Sequence, residues 1–282
     1  MSVTQNFDTF ASPDYEAPSR AASTNEVLNY RAYVINLPSA PQRLQQMEDG
    51  LQTVGIPWVR IEAVNGRELK LPIPEFSQWR HRLCTGRRPI LPELGCYFSH
   101  IRAFREFLQT SDDYALILED DCLMDADLKT IIHQALQHKK HWEILRLSSV
   151  SQDRTIPIIP LDAEHHLGVC LTRSKGSDAY LISRKGAEIF LRKLIPMKLA
   201  YDLAYDLEFL YGLKALSVTP YPCRQDQRFA TQIQTRINDY KYSSLRYLTV
   251  FPFRAIIETR RVIQRSLQYA HLRLLGHKRK TG

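Results

Sequence analysis

Tyr33-Val34-Ile35-Asn36-Leu37-Pro38-Ser39-Ala40-Pro41-Gln42 decides the fold. The short apolar run through Leu37, stopped by Pro38, predicts a buried strand. Ser39 and Gln42 stand at the spacing of a capping box, and Pro41 falls in a first helical turn, where its missing N–H costs little. Leu44, Met47, Leu51 and Val54 follow at helical spacing. Gly55-Ile56-Pro57 breaks the helix, and Trp58 to Val64 reads as a second strand closed by Asn65-Gly66. Strand, helix, strand is a βαβ unit, and it predicts an α/β fold with a mostly parallel sheet.

The pattern continues downstream after an irregular stretch from Arg67 to Pro92. Glu93 to Leu108 reads as a helix, Tyr114 to Leu118 as a continuous apolar strand, Leu128 to Gln137 as a helix and Trp142 to Leu147 as a strand. A polar, Pro-containing excursion runs through Pro160. Gly168 to Leu171 and Ala179 to Ile182 then read as strands, Ser183 caps a helix, Asp202 to Tyr211 forms another helix and Ala215 to Val218 a last strand.

With 282 residues, 44% hydrophobic and 24% charged, the chain suits one large core-forming domain with tails, and not a collagenous, wholly disordered or integral-membrane protein. The net charge of +8 is unevenly spread. Residues 236–282 hold 11 Lys/Arg against Asp239 and Glu258, a net of +9, so the remaining residues carry −1. A neutral body with a cationic end argues against an enveloping nucleic-acid binder. The expected division is a disordered lead-in over 1–29, a catalytic domain over 30–235 and a basic amphipathic tail over 236–282. Five cysteines without a CxxC pair suggest neither a disulfide framework nor a zinc site, and fit a reducing compartment. Cys96 and Cys122 read as core, and His165-His166 as a solvated turn. No apolar targeting segment is evident.

Glu119-Asp120-Asp121 carries the chemistry. Three acids directly after a buried strand lie at its carboxyl end, where open α/β sheets bind ligands. Alternate projection lets Glu119 and Asp121 converge while Asp120 points away. Such acids either hold Mg2+ or Mn2+ or simply solvate the turn and cap the next helix. The end of the first strand, Asn36-Leu37, and Arg43 in the first helix face the same edge, where helix N–H groups suit a diphosphate.

These residues resemble glycosyltransferase family 25, the lipooligosaccharide galactosyltransferases and their relatives. Val34-Ile35-Asn36-Leu37 with Arg43 looks like the family's opening strand and helix, and Ala63-Val64-Asn65-Gly66 is similar to its A-x-D-G turn. Glu93 to His100 (ELGCYFSH) and Tyr114 to Asp121 (YALILEDD) look like its next two blocks, and Gly176 to Leu191 (GSDAYLISRKGAEIFL) resembles a fourth. The match runs from about residue 32 to about residue 228. Asn65 stands where the family usually has Asp, and Pro92 where Gly commonly precedes Glu93.

The resemblance implies a single GT-A-like, Rossmann-like domain that moves a hexose with inversion, as a β-galactosyltransferase using UDP-galactose or a related UDP-hexose. The acceptor would be a lipopolysaccharide or lipooligosaccharide core or a related glycan or glycolipid. It implies Mn2+ or Mg2+ on Asp121 with Glu119 assisting, nucleotide contacts from Asn36, Leu37, Arg43, Asn65, His100, Glu119 and Asp120, and a general base at Asp202 or Asp206. His100 either approaches the pyrophosphate or is a satisfied structural histidine. A non-catalytic adaptor binding sugar nucleotides or anionic polymers is the rival reading, and a nucleotidyltransferase a weaker one. From Arg254 to Leu275, Ile256, Ile257, Ile263, Leu267, Ala270 and Leu274 form one helical stripe, followed by His277-Lys278-Arg279-Lys280. This segment reads either as a helix lying on an anionic membrane or as one packed on the domain. The membrane reading places the protein in the cytoplasm, peripherally on the inner face of the cell membrane.

Overall fold

The computed structural model describes residues 29–151, 153–226, 228 and 240–278. The lead-in over 1–28 and Arg279-Lys280 of the basic cluster lie outside the described residues. β1 (Tyr30–Asn36), α1 (Pro41–Val54) and β2 (Trp58–Glu62) form the expected βαβ unit, with β1 and β2 parallel. The capping box does not form. Ala40 is the N-cap residue, with no side-chain hydrogen bond, and Asn36 Nδ2 instead donates to Ala40 O at 2.9 Å. Gly55, at φ 68°, ends the helix in the left-handed conformation that glycine adopts freely.

There follow α2 (Gln78–Thr85), α3 (Leu91–Leu108), β3 (Tyr114–Glu119), β4 (Cys122–Met124), α4 (Leu128–Leu136), β5 (Ile144–Arg146), β6 (Thr155–Pro160), β7 (His166–Cys170), β8 (Ala179–Ser183), α5 (Arg184–Leu194), α6 (Tyr201–Tyr205), β9 (Ala215–Thr219), β10 (Cys223–Gln225) and α7 (Tyr247–Lys278). Eight strands form one sheet in the order β2-β1-β3-β8-β5-β9-β7-β6. Six run one way, while β7 and β8 oppose them, so pairing is mixed and parallel runs survive at β2-β1-β3 and β5-β9. Side chains alternate as a two-sided sheet requires. Tyr33, Ile35, Ala115 and Ile117 pack with α3 and α5, whereas Ala32, Val34, Leu116 and Leu118 pack with α1 and α4.

Four local expectations change. Thr155–Pro160, read as an excursion, is edge strand β6, a position that tolerates Pro157 and Pro160 because one side of its ladder needs no donors. The helix expected over 202–211 is two pieces, α6 and a 3-10 turn at Glu208–Tyr211. His165 is buried, its Nδ1 lying 3.2 Å from an Asp162 oxygen. Cys122 is core, but Cys96 is only half-buried and faces a cleft. Ser183 does cap α5, accepting from Gly186 N at 3.2 Å.

α7 packs against the body through an unusual face. Val250, Arg261, Arg265 and Leu272 are buried, while Leu248, Phe251, Ile256, Val262, Ile263, Leu267 and Leu274 are exposed. Ile256 and Ile257, placed on one stripe by sequence, part company, since Ile257 packs on the core. Arg265 donates to Asp206 Oδ1 at 2.8 Å and to Glu208 Oε1 at 2.9 Å, Arg146 lies 2.9 Å from Glu208, and Arg261 also bonds Asp206. The boundary expected at 235 therefore separates residues that share one buried ion cluster.

Candidate active site

A cleft of about 450 Å³ opens at the carboxyl ends of β1 and β3. The turn after β1 supplies Leu37, Ser39 and Arg43, the turn after β3 supplies Glu119, Asp120 and Asp121, and Asn65 and Gly66 face α3 residues Pro92, Cys96 and His100. Two glycines let α3 approach so closely. A Cβ on Gly66 would lie 2.1 Å from Leu91 O, and one on Gly95 would lie 2.6 Å from Val64 O and from Gly66 N. Only backbone fits at that junction. Ser99 Oγ ties it, accepting from Val64 N at 2.8 Å and donating to Gly95 O at 2.7 Å. Asn65 Oδ1 accepts from Arg67 N at 3.2 Å, and its Nδ2 donates to Glu68 Oε1 at 2.6 Å.

Within the acidic turn the three carboxylates divide their roles. Asp120 turns back onto the first βα unit, where Asn36 Nδ2 donates to it at 2.7 Å and Arg43 at 2.9 Å. Arg43 also stands 3.9 Å from Asp121. Asp121 Oδ2 accepts from Gln225 Nε2 at 3.0 Å on β10, and its backbone oxygen accepts from Asp226 N at 2.7 Å, so the small β4-β10 sheet pins the turn. Glu119 accepts from Ser177 Oγ at 3.1 Å.

Burial, and then neighbouring acids, hold the Glu119 and Asp121 carboxyls above the ordinary range. Asp120 and Asp202 add to the burial of Glu119, and Glu119 to that of Asp121. Asp178, buried just before β8, is pushed up to about 7 by burial and then by Glu119. Asp121 Oδ1 and both Asp178 side-chain oxygens are buried with no hydrogen-bond partner among the described residues. Crowded, mutually repelling carboxylates are what a hard divalent cation relieves, and the unpartnered Asp121 Oδ1 beside Glu119 suits such an ion. Cys96, His100 and Glu119 also place ligand atoms within 4.8 Å of one another. Burial raises the Cys96 thiol well above its usual range, however, and a protonated thiol is a poor ligand.

His100 lines the cleft, but its polar atoms are engaged. Nδ1 lies 3.0 Å from Tyr180 Oη and Nε2 3.3 Å from Glu119, and the ring stacks on Tyr201 at 3.7 Å between centroids. Burial lowers its pKa to about 3, so it is a neutral support for Glu119. The two Asp candidates differ sharply. Both Asp206 oxygens are taken by Arg146, Arg261 and Arg265 in the buried cluster, which withdraws it from proton transfer. Asp202 lines a second cleft of about 500 Å³, with burial raising its carboxyl and Arg173 opposing. Asp178, Ser177 and Gln225 were missed by sequence reading. An aspartate set directly against the apolar run Ala179 to Ile182 was the available signal for the first; nothing local marked the others.

The family model described as Glycosyltransferase family 25 (LPS biosynthesis protein) matches residues 29–205, from β1 through α6. The chain belongs to glycosyltransferase family 25. This family 25 chain is 23% identical over 226 residues to the Lacto-N-neotetraose biosynthesis glycosyltransferase LgtE of Neisseria meningitidis serogroup B, covering 70% of this chain and 75% of that protein. It is 24% identical over 192 residues to Procollagen galactosyltransferase 1-A of Xenopus laevis, covering 62% and 31%. A Glycosyltransferase 25 family member of Drosophila pseudoobscura pseudoobscura is 30% identical over 117 residues, covering 36% and 18%. The family 25 chain thus spans less than a third of the frog and fly proteins. Among solved structures, S. aureus TarS 1-349 in complex with UDP-GlcNAc aligns with a TM-score of 0.42 at 12% identity, covering 83% of this chain and 66% of that one.

Proposed function

We propose that the protein transfers a hexose, galactose from UDP-galactose, with inversion to a glycan or glycolipid acceptor of the lipopolysaccharide or lipooligosaccharide core type. One observation carries this reading: Glu119 and Asp121, with Asp178 buried nearby, crowd acidic groups beside Arg43 in a cleft of nucleotide size. Relatives named as galactosyltransferases supply the choice of hexose.

Asp121, with Glu119 assisting, would hold Mn2+ or Mg2+, which supplies charge neutralisation for the departing diphosphate. Arg43 and the N–H groups opening α1 add positive potential there. Asn36 fixes Asp120, which in turn fixes Arg43. Asn65 and its turn offer polar groups to the nucleoside. Asp202 accepts the proton of the acceptor hydroxyl as that oxygen bonds the anomeric carbon. The bond from that carbon to the diphosphate oxygen breaks, and its electron pair leaves with UDP. A carboxyl raised by burial is a stronger proton acceptor than a solvated one. The outward apolar face of α7, flanked by Arg260 and Arg273, supports residence on the anionic cytoplasmic face of a membrane. Among the described residues, no helix is long and apolar enough to cross one.

The test is UDP release from a panel of UDP-sugars with Mn2+. Galactose-dependent release that Asp121→Asn abolishes is the expected result; release unaffected by that substitution would sink the site.

A further inference from the structure

We propose that the second cleft docks the acceptor and is built for one carrying an anionic group, phosphate or carboxylate, beside the sugar that receives the hexose. The inference rests on the transferase reading and adds the charge class of the acceptor. Seven Lys/Arg side chains line this cleft against Glu93, Asp202 and Glu258. Part of that positive charge is already committed. Arg87 lies 3.2 Å from Glu93, and Arg261 bonds Asp206 and Glu258.

Arg173, Lys175 and Arg254 make no ion pair among the described residues, yet all three line the same concavity. Two come from the loop before β8 and one from α7, so tertiary structure gathers them. The Arg173 Nε is buried without a hydrogen-bond partner among the described residues, and its charge is the strongest acting on Asp202. Lys175 and Arg254 are exposed. Uncompensated cations in a concave site raise the local concentration of anions, and a guanidinium grips phosphate or carboxylate with paired hydrogen bonds. Tyr247 and Phe253 line the α7 side. The cleft adjoins the first one. Asp202 adds negative potential at Glu119 and Cys96, which line the first cleft, and Pro92 and Glu93 are chain neighbours that line different clefts.

The experiment compares galactose, galactose 6-phosphate and glucuronate as acceptors for the full chain and for the double variant Lys175→Gln/Arg254→Gln. At low salt the parent should favour the charged sugars by about tenfold or more in kcat/KM, and the preference should shrink at about 0.5 M NaCl. The double variant should raise KM for charged sugars about tenfold, with kcat and the neutral sugar little changed. Comparing the two charged sugars shows which anion is read. Titration calorimetry of galactose 6-phosphate without donor should show the same loss of binding. Equal use of neutral and charged sugars, or binding untouched by the double variant, overturns the proposal. If no UDP-hexose is turned over, the transferase reading fails, and calorimetry still decides whether this cleft takes an anionic sugar.

Discussion

Replacing Asp202 by Asn should leave a folded protein with its first cleft intact, since among the described residues the Asp202 side chain makes one hydrogen bond, accepting from Leu203 N at 2.8 Å. Transfer should fall about 100- to 10,000-fold, the range expected for losing a general base. Asp206→Asn should instead cost about 3–5 kcal/mol of stability by leaving buried arginines uncompensated, read by denaturant unfolding. The four-residue spacing that suggested both aspartates could not separate them, because the partners of Asp206 lie on β5 and α7. His81 provides a pH-dependent counterpart. Its ring is fully buried, and burial and then Arg87 lower its pKa to about 4. Between that value and the unfolded value of about 6.5, the unfolded chain binds the extra proton, so this contribution is present above 6.5 and lost as pH falls toward 4. His81→Phe should flatten the unfolding free energy over that window, by up to roughly 3 kcal/mol relative to the parent.

Elements with local signals were legible in the sequence: the apolar run of β1, the period of α1 and the continuous strand β3 followed by its acids. What escaped depends on distant pairing. β8 enters the sheet antiparallel between β3 and β5, and Glu119 N donates to Asp178 O at 2.9 Å, which brings a fourth acid to a turn about sixty positions earlier. The family-like blocks marked α3 as part of the site, but not why it must sit so close. Gly95→Ala would force a methyl against Val64 O and Gly66 N. It should cost about 1–3 kcal/mol. By pushing the Asn65 turn off α3, it should also raise KM for the donor more than it lowers kcat. An unchanged thermal midpoint and donor KM would show that the junction is slack.

At the scale of the whole molecule, α7 partly inverts the usual amphipathic arrangement, with Arg261 and Arg265 turned inward to acids and Leu248, Ile256, Ile263, Leu267 and Leu274 turned to the surface. Its outward face should bind vesicles containing anionic lipid, with each basic residue near the surface adding about 1 kcal/mol. Co-sedimentation with such vesicles should drop about tenfold in Ile263→Glu/Leu267→Glu while unfolding stays normal, because both side chains are more than half exposed, at 51% and 61%. Equal pelleting of parent and variant would remove the membrane role. The first turn of α3 has a different reach. Pro92 lines one cleft and Glu93 the other, so a ligand that shifts this turn from either mouth alters the opposite one. Thermodynamic linkage makes that influence mutual, and a compound bridging the two mouths would gain from both at once.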